Sequence, residues 1–331
     1  MVKSINIFVL CFIALFFIFT SSGCTRDGEG STNYEYEFNQ ELNGIVLTAY
    51  IGSDLDVTIP AKIDGHPVIA IDGAFQDSGV KTIVIPEGVK IIGDYAFFNC
   101  TSLESISIPE TVTSIGDYAI CGCSSLESIT IPETVTSIGT GAFAANTALK
   151  SITIPYGITS VDEAFWGCTS LTSVTLPDSM LFLGNTSFFE CTALTAITLP
   201  DSLTGIGIGT FRGCSALIEI NIPNNVKTIG FAAFAECASL TSVTLPDGVT
   251  YIDYATFAEC ISLETIIIPE SVARIDDNAF YGCISLTKVV FQNSAVELGV
   301  QAFLGCSALS DETVQRILEK NPDALFQVET E

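Results

Sequence analysis

The sequence is poor in the residues that most catalytic and nucleic-acid sites need. It has one histidine, His66, which stands in a turn-forming Asp64-Gly65-His66-Pro67 run. Nucleophilic catalysis by serine or cysteine needs a base held beside the nucleophile, and a lone histidine in a turn gives the rest of the chain none. No Gly-x-Ser-x-Gly elbow, His-Glu-x-x-His helix or phosphate loop is present. Basic residues are scarce, 12 against 38 acidic, for a net charge of -26. Nucleic-acid binding draws on clustered Lys and Arg for counterion release, so that class is excluded. An excess of acid favours solubility, cations or basic partners. No motif calls for a cofactor.

Long apolar runs are also absent, with one exception. Lys3 is followed by an apolar stretch from Ile5 to Phe19, then Ser21-Ser22-Gly23 and Cys24. A charged start, an apolar centre and small residues before a cut describe an export signal over 1–23. Residues 24–33 are polar and glycine-containing, which suits a flexible tether.

What is abundant is repetition. Prolines fall at 86, 109, 132, 155, 177, 200, 223, 246 and 269, every step being 23 residues except the 22 from 155 to 177. A phenylalanine column runs through 75, 97, 143, 165, 188, 211, 234, 257, 280 and 303, with Ile120 standing in once. A leucine column runs in parallel from Leu103 to Leu309. About ten coils follow from this count. Within each, Leu-x-x-Ile-x-Ile before proline alternates at period two, the pattern of a strand with one buried face. Proline ends the strand where its missing N–H does least harm. The Val-x-x-Ile-Gly half turns the chain back along the opposite wall. The Ala-Phe-x-x-Cys segment is too short for a long helix and predicts a helical turn. No coil can bury its apolar face alone, so neighbours do it together.

The fold expected is therefore a repeat solenoid over 86–309, with a parallel β-sheet on one wall and turns with short helical turns on the other. Residues 34–85 supply an N-terminal cap and first repeat, with Asn43-Gly44 as a hairpin turn. Residues 310–331 supply a capping helix, started by Ser310 or Asp311, and a tail.

The units Ile-Pro-x-x-Val-x-x-Ile-Gly-x-x-Ala-Phe-x-x-Cys-x-Ser-Leu, nearly whole at 108–126, resemble the BspA-type leucine-rich repeat family of bacterial surface proteins. The Asp64-Gly65-His66-Pro67-Val68 lead-in is similar as well, and the resemblance spans about residues 40–310. It implies a leucine-rich repeat fold and a role in attachment to host proteins or other bacteria. The Ser22-Gly23-Cys24 ending resembles a bacterial lipobox, although Ser21 stands where that motif usually has leucine. This would make Cys24 the lipidated residue of a surface or outer-membrane lipoprotein. An ordinary signal or an uncleaved anchor is the alternative.

The cysteines form a column: Cys100, Cys123, Cys168, Cys191, Cys214, Cys237, Cys260, Cys283 and Cys306, with Asn146 taking one place. This matches the Cys/Asn column of leucine-rich repeats, where the side chain lies inside. A small buried thiol with a weak donor suits that place. Disulfides are the rival, but parallel side chains in register do not readily adopt the required dihedral. No paired C-x₂₋₄-C spacing suggests a metal site.

Acids follow most prolines, as in Glu87, Glu110, Glu133, Asp178, Asp201, Asp247 and Glu270. They read as a solvated turn, with a divalent cation as the less favoured alternative. Bulky residues break the pattern near the shortened repeat: Tyr156, Trp166, Leu181, Phe182 and Phe189. Aromatic residues dominate interface hot spots, so these five are the candidate partner-binding residues, with partial burial in the wall as the alternative. The function expected is non-catalytic protein binding at the cell surface. Self-association in the envelope, or carbohydrate cleavage by scattered acids, are the competing readings.

Overall fold

The computed structural model describes residues 33–326. The signal segment, Cys24 and nearly all of the tether lie outside the described residues.

Each unit of about 23 residues makes one turn of a path with three sides. On the first side, residues before the proline form short strands such as Ser105–Ser107, Ser151–Thr153 and Ser242–Thr244, each with only its middle residue buried. These pair in parallel with the equivalent residues of the next coil, Ser151 opposite Ser173 and Glu219 opposite Ser242. The second side also carries a ladder, which the sequence pattern had assigned only to turns. Two-residue strands, Ile91–Ile92, Ser114–Ile115, Phe182–Leu183 and Gly205–Ile206 among them, pair in parallel along it.

The third side holds the Ala-Phe-x-x-Cys segments. In place of a continuous helical turn there are separate i→i+3 turns, as in Ala96 N–H to Gly93 C=O and Cys100 N–H to Phe97 C=O. Residues such as Tyr95 and Asn99 take positive φ between them. Their remaining backbone groups bond to the next coil, Phe97 N–H to Ala119 C=O at 2.7 Å and Phe211 N–H to Ala233 C=O at 2.8 Å. All three sides are thus hydrogen-bonded along the axis, so backbone polar groups are satisfied between coils. There are about 11 turns, because Phe75 already opens a coil inside the N-terminal segment.

The core is one continuous stack. Rings of Phe188, Phe211, Phe234, Phe257 and Phe280 lie near parallel with centroids 5.3–5.4 Å apart, and Phe303 follows at 5.1 Å. All of them are fully buried. Burial of such rings, each covered by its neighbours in the adjacent coils, is the main source of stability. The stack is interrupted only where Ile120 replaces phenylalanine.

Both ends are closed. The hairpin of Tyr34–Asn39 and Gly44–Tyr50, joined through Asn43 with φ 51°, pairs onto the second ladder. Tyr50 continues the phenyl stack, its ring 5.0 Å from Phe75, with Tyr34 packed on both. Burial pushes the Tyr34 hydroxyl pKa up to about 12. At the other end helix α1, Asp311–Lys320, is capped by Ser310, whose side chain accepts from the Thr313 N–H. Acids in its first turn and Lys320 in its last favour the helix dipole. Ile317 is buried against the last coil, and Ala324 C=O receives the Phe303 N–H at 2.8 Å as a further coil would.

Candidate functional site

The cysteine column is interior, and its chemistry is that of a donor. Each thiol points to the carbonyl of the phenylalanine one coil back: Cys191 to Phe165 at 3.2 Å, Cys237 to Phe211 at 3.1 Å and Cys260 to Phe234 at 3.1 Å. The ten described cysteines are all buried and unpaired with one another. Burial pushes the Cys168, Cys214 and Cys260 thiols up to about 12. A thiol held protonated in this way is a poor nucleophile and a poor metal ligand. Asn146 does more than a cysteine could. Its amide donates to Ile120 C=O at 2.8 Å and Phe143 C=O at 3.0 Å, while its oxygen accepts the Cys123 N–H at 2.7 Å. The two exceptions to the repeat, Ile120 and Asn146, therefore sit together, the amide binding up a coil that lacks its ring.

The shortened repeat loses the glycine of Ile-Gly-Asp, so that Val161 runs directly into Asp162. The second ladder is broken between Ser137–Ile138 and Ser160–Val161, as it is again between Thr228–Ile229 and Tyr251–Ile252. Asp162 is left with one buried carboxylate oxygen that has no hydrogen-bond partner.

Around this break the structure places the five candidate residues on the surface, but on different sides. Trp166 and Phe189 are neighbours on the turn side, their coils joined by the Gly167 N–H to Phe189 C=O bond at 2.8 Å. Trp166 is 43% exposed and Phe189 half-buried beneath the Arg212 guanidinium, 5.8 Å from its ring. Phe182 is on the second ladder and Leu181 immediately precedes it, 38% and 47% exposed. Tyr156 stands at the corner after Pro155, 72% exposed, with its N–H on Glu133. The sequence could not show that Phe182 has a prepared seat. A Cβ on Gly205 would meet its ring at 2.8 Å, so the ring lies over that glycine in the next coil. Gly205 replaces the serine or threonine usual at this place in the pattern, which is the signal that points to it.

His66 begins a strand of the N-terminal cap, with Phe38 edge-on at 4.7 Å. The acids after the prolines are exposed. Among the described residues no group of three or more His, Cys, Asp or Glu is arranged to hold a metal, and no helix is long and apolar enough to cross a membrane.

Parallel ladders of about 23 residues per turn, an inward leucine column and a buried Cys/Asn column define a leucine-rich-repeat solenoid. The model of the BspA type leucine rich repeat region matches residues 71–195, 146–262 and 182–310 with six copies, and the chain belongs to that family. A leucine rich cell surface protein from Faecalibacterium prausnitzii A2-165 is 30% identical over 87% of this chain and 94% of its own, with a TM-score of 0.56. A leucine-rich repeat protein from Bacteroides ovatus ATCC 8483 is 29% identical over 85% of this chain and 93% of its own, TM-score 0.49. The pneumococcal vaccine antigen PcpA shares the fold, at 21% identity over 85% of each chain and a TM-score of 0.59. No curated protein matches the chain.

Proposed function

We propose that this is a non-catalytic, adhesin-like binding protein of the cell surface, held to the membrane by lipid on Cys24 and recognising protein partners of host or bacterial origin. Residues 1–23 are then removed on export, 24–33 form the tether, and the solenoid stands off the membrane as a rigid rod. Membership of the family and the similarity to the Faecalibacterium cell surface protein support the location. The observation that carries the binding reading is the exposure of Tyr156, Trp166, Leu181 and Phe182 in the coils beside the break in the second ladder, with Tyr156 at 72% the most exposed of the large apolar side chains. Rigid aromatic side chains gain contact area at little entropic cost.

The test uses the exported domain from residue 25 onward as bait against surface extracts, followed by titration of whichever partner is captured. Replacing Trp166 and Phe182 together with Ala lowers affinity at least about tenfold while the melting temperature stays within a few degrees. Unchanged affinity rejects the patch.

A further inference from the structure

On the wall beyond the second ladder one residue per coil forms a column, tied together by backbone bonds: Thr186 N–H to Ile208 C=O at 2.8 Å, Gly209 N–H to Phe231 C=O at 2.9 Å and Ala232 N–H to Tyr254 C=O at 3.0 Å. Polar members of this column cap the coil that follows. Asn185 Oδ1 accepts the Ile208 N–H at 2.9 Å, and Asp277 Oδ1 accepts the Val300 N–H at 2.7 Å. Ile208, Phe231 and Tyr254 have no carboxylate or amide to offer and stand 50%, 38% and 41% exposed. Three successive coils therefore forgo a cap and hold apolar side chains in water, the mark of a contact surface. The Phe231 and Tyr254 rings are stacked, centroids 5.3 Å and planes 20° apart, so they turn their edges outward. A guanidinium needs an open ring face; a row of edges suits apolar side chains. The neighbouring column is Gly209, Ala232 and Ala255, too small to hold a facing wall away.

We propose that this row joins two copies of the chain side by side and antiparallel, about a two-fold axis at Phe231. A second copy brings rungs at the same interval, so all three places meet at once. Charge beside the row sets the direction. Antiparallel, Ile208 meets Tyr254 of the second copy, and Asn185, its oxygen already taken by the Ile208 N–H, has amide donors left for Asp277 of the second copy. Parallel, Asp277 would meet Asp277. Nearer the N-terminus the column carries Asp72, Asp94 and Asp117, where any such pairing sets acid against acid. The net charge of -26 opposes approach from a distance, and physiological salt confines that repulsion to about 8 Å. Three partly exposed side chains fall well short of the ~800 Å² per partner of a stable complex, so each contact is weak and many act together. The inference rests on the reading above only for the tether: with Cys24 of each copy in its own membrane, antiparallel rods link two facing membranes.

In the experiment the chain from Cys24 onward is coupled through that thiol to vesicles carrying a maleimide lipid, and clustering is read as turbidity. The ten described cysteines are buried, which directs the coupling to Cys24. The vesicles cluster, and faster at physiological than at low salt, because screening weakens the repulsion and spares the apolar row. Phe231→Asp gives this coil the residue that the column already carries at Asp117, so the melting temperature holds, and clustering slows at least about tenfold as acid meets acid on the axis. Tyr254→Asp slows it likewise. Adding Ile208→Lys to Tyr254→Asp in one chain restores clustering, because each lysine then meets an aspartate of the other copy. No clustering by the unmodified chain, or clustering that Phe231→Asp leaves unchanged, overturns the proposal. Failure of the double variant to recover overturns the antiparallel pairing and the proposal with it. Trp166→Ala leaves clustering unchanged; loss there, with Phe231→Asp unaffected, assigns the contact to the other face and overturns it. Binding of the uncoupled domain to bare vesicles assigns the row to lipid and overturns it likewise. The coupling is chemical, so the result is independent of lipid on Cys24, and loss of clustering leaves partner capture through Trp166 and Phe182 standing.

Discussion

The wall beyond the second ladder is built in two ways. Toward the N-terminus its surface column is Asp72, Asp94, Asp117, Asp162 and Asn185, with Thr140 among them; from coil 208 onward it is Ile208, Phe231 and Tyr254 before Asp277 resumes it. At three places in the first region the side-chain oxygen accepts a backbone N–H from the next coil, Asp94 from Asp117 at 2.8 Å, Asp117 from Thr140 at 2.7 Å and Asn185 from Ile208 at 2.9 Å. That bond brings the carboxylate over the residue before the N–H. A Cβ there would meet Asp117 Oδ1 at 2.5 Å in the case of Gly139, and Asn185 Oδ1 at 2.9 Å in the case of Gly207. Glycine therefore follows the acid by one coil. In the second region Phe231 and Tyr254 make no such demand, and the positions one coil on are Asp253 and Asp276. Asp253 instead bonds its own neighbour, the Tyr254 N–H, at 2.7 Å. The glycine of the repeat answers both the previous coil's side chain and its backbone, which a Cβ on Gly139 would meet at 2.5 Å. Gly230, which follows Ile208, is the exception, and the close backbone of Gly207 at 2.8 Å accounts for it.

The largest effect lies in what the two regions share. Phe234→Ala, in the unbroken ring stack, is expected to cost about 3–5 kcal/mol in a denaturant titration. Phe97→Ala, beside the interruption at Ile120, should cost less, because its cavity has a ring neighbour on one side only; equal losses would deny that the stack acts along its length.

Next in size is the glycine. Gly116→Ala forces Cβ to within 2.7 Å of the Asp94 backbone nitrogen and of the Gly93 carbonyl carbon and should cost about 1–3 kcal/mol. Asp253→Ala, in the other region, removes one exposed cap and should cost about 1 kcal/mol. Reversal of that order would separate glycine from the acid that precedes it.

The smallest effect per residue is on pH. Burial pushes the Cys168, Cys214 and Cys260 thiols up to about 12 in the folded chain, from an ordinary 9.0. Folded pKa values above the unfolded ones give stability that is complete below pH 9 and lost as pH rises toward 12. The melting temperature is expected to fall steadily above pH 9, which a thermal scan at pH 8 and pH 10 would show. A flat profile would place the thiols outside the core.

The period-two strands, the proline stops, the phenylalanine row and the Ser310 cap were all legible in the sequence, because each is a local pattern repeated in register. The second ladder was not, since two residues per coil are too few to show alternation. The Asp-to-Gly dependence was hidden for a different reason: it links residues 21 to 22 apart across a coil boundary. For the surface residues, sequence position showed which were unusual. It did not show that Trp166 and Phe189 share a side while Phe182 occupies another, because that depends on where each falls around the coil.

The thiols offered to backbone carbonyls have a consequence for how the rod meets an oxidant. Each sulfur is already engaged within the wall of the rod and hidden from reagent, so the rate at which oxidant consumes it reports how often that stretch of rod comes apart. Nine separate positions along the axis thereby record, coil by coil, where the molecule breathes.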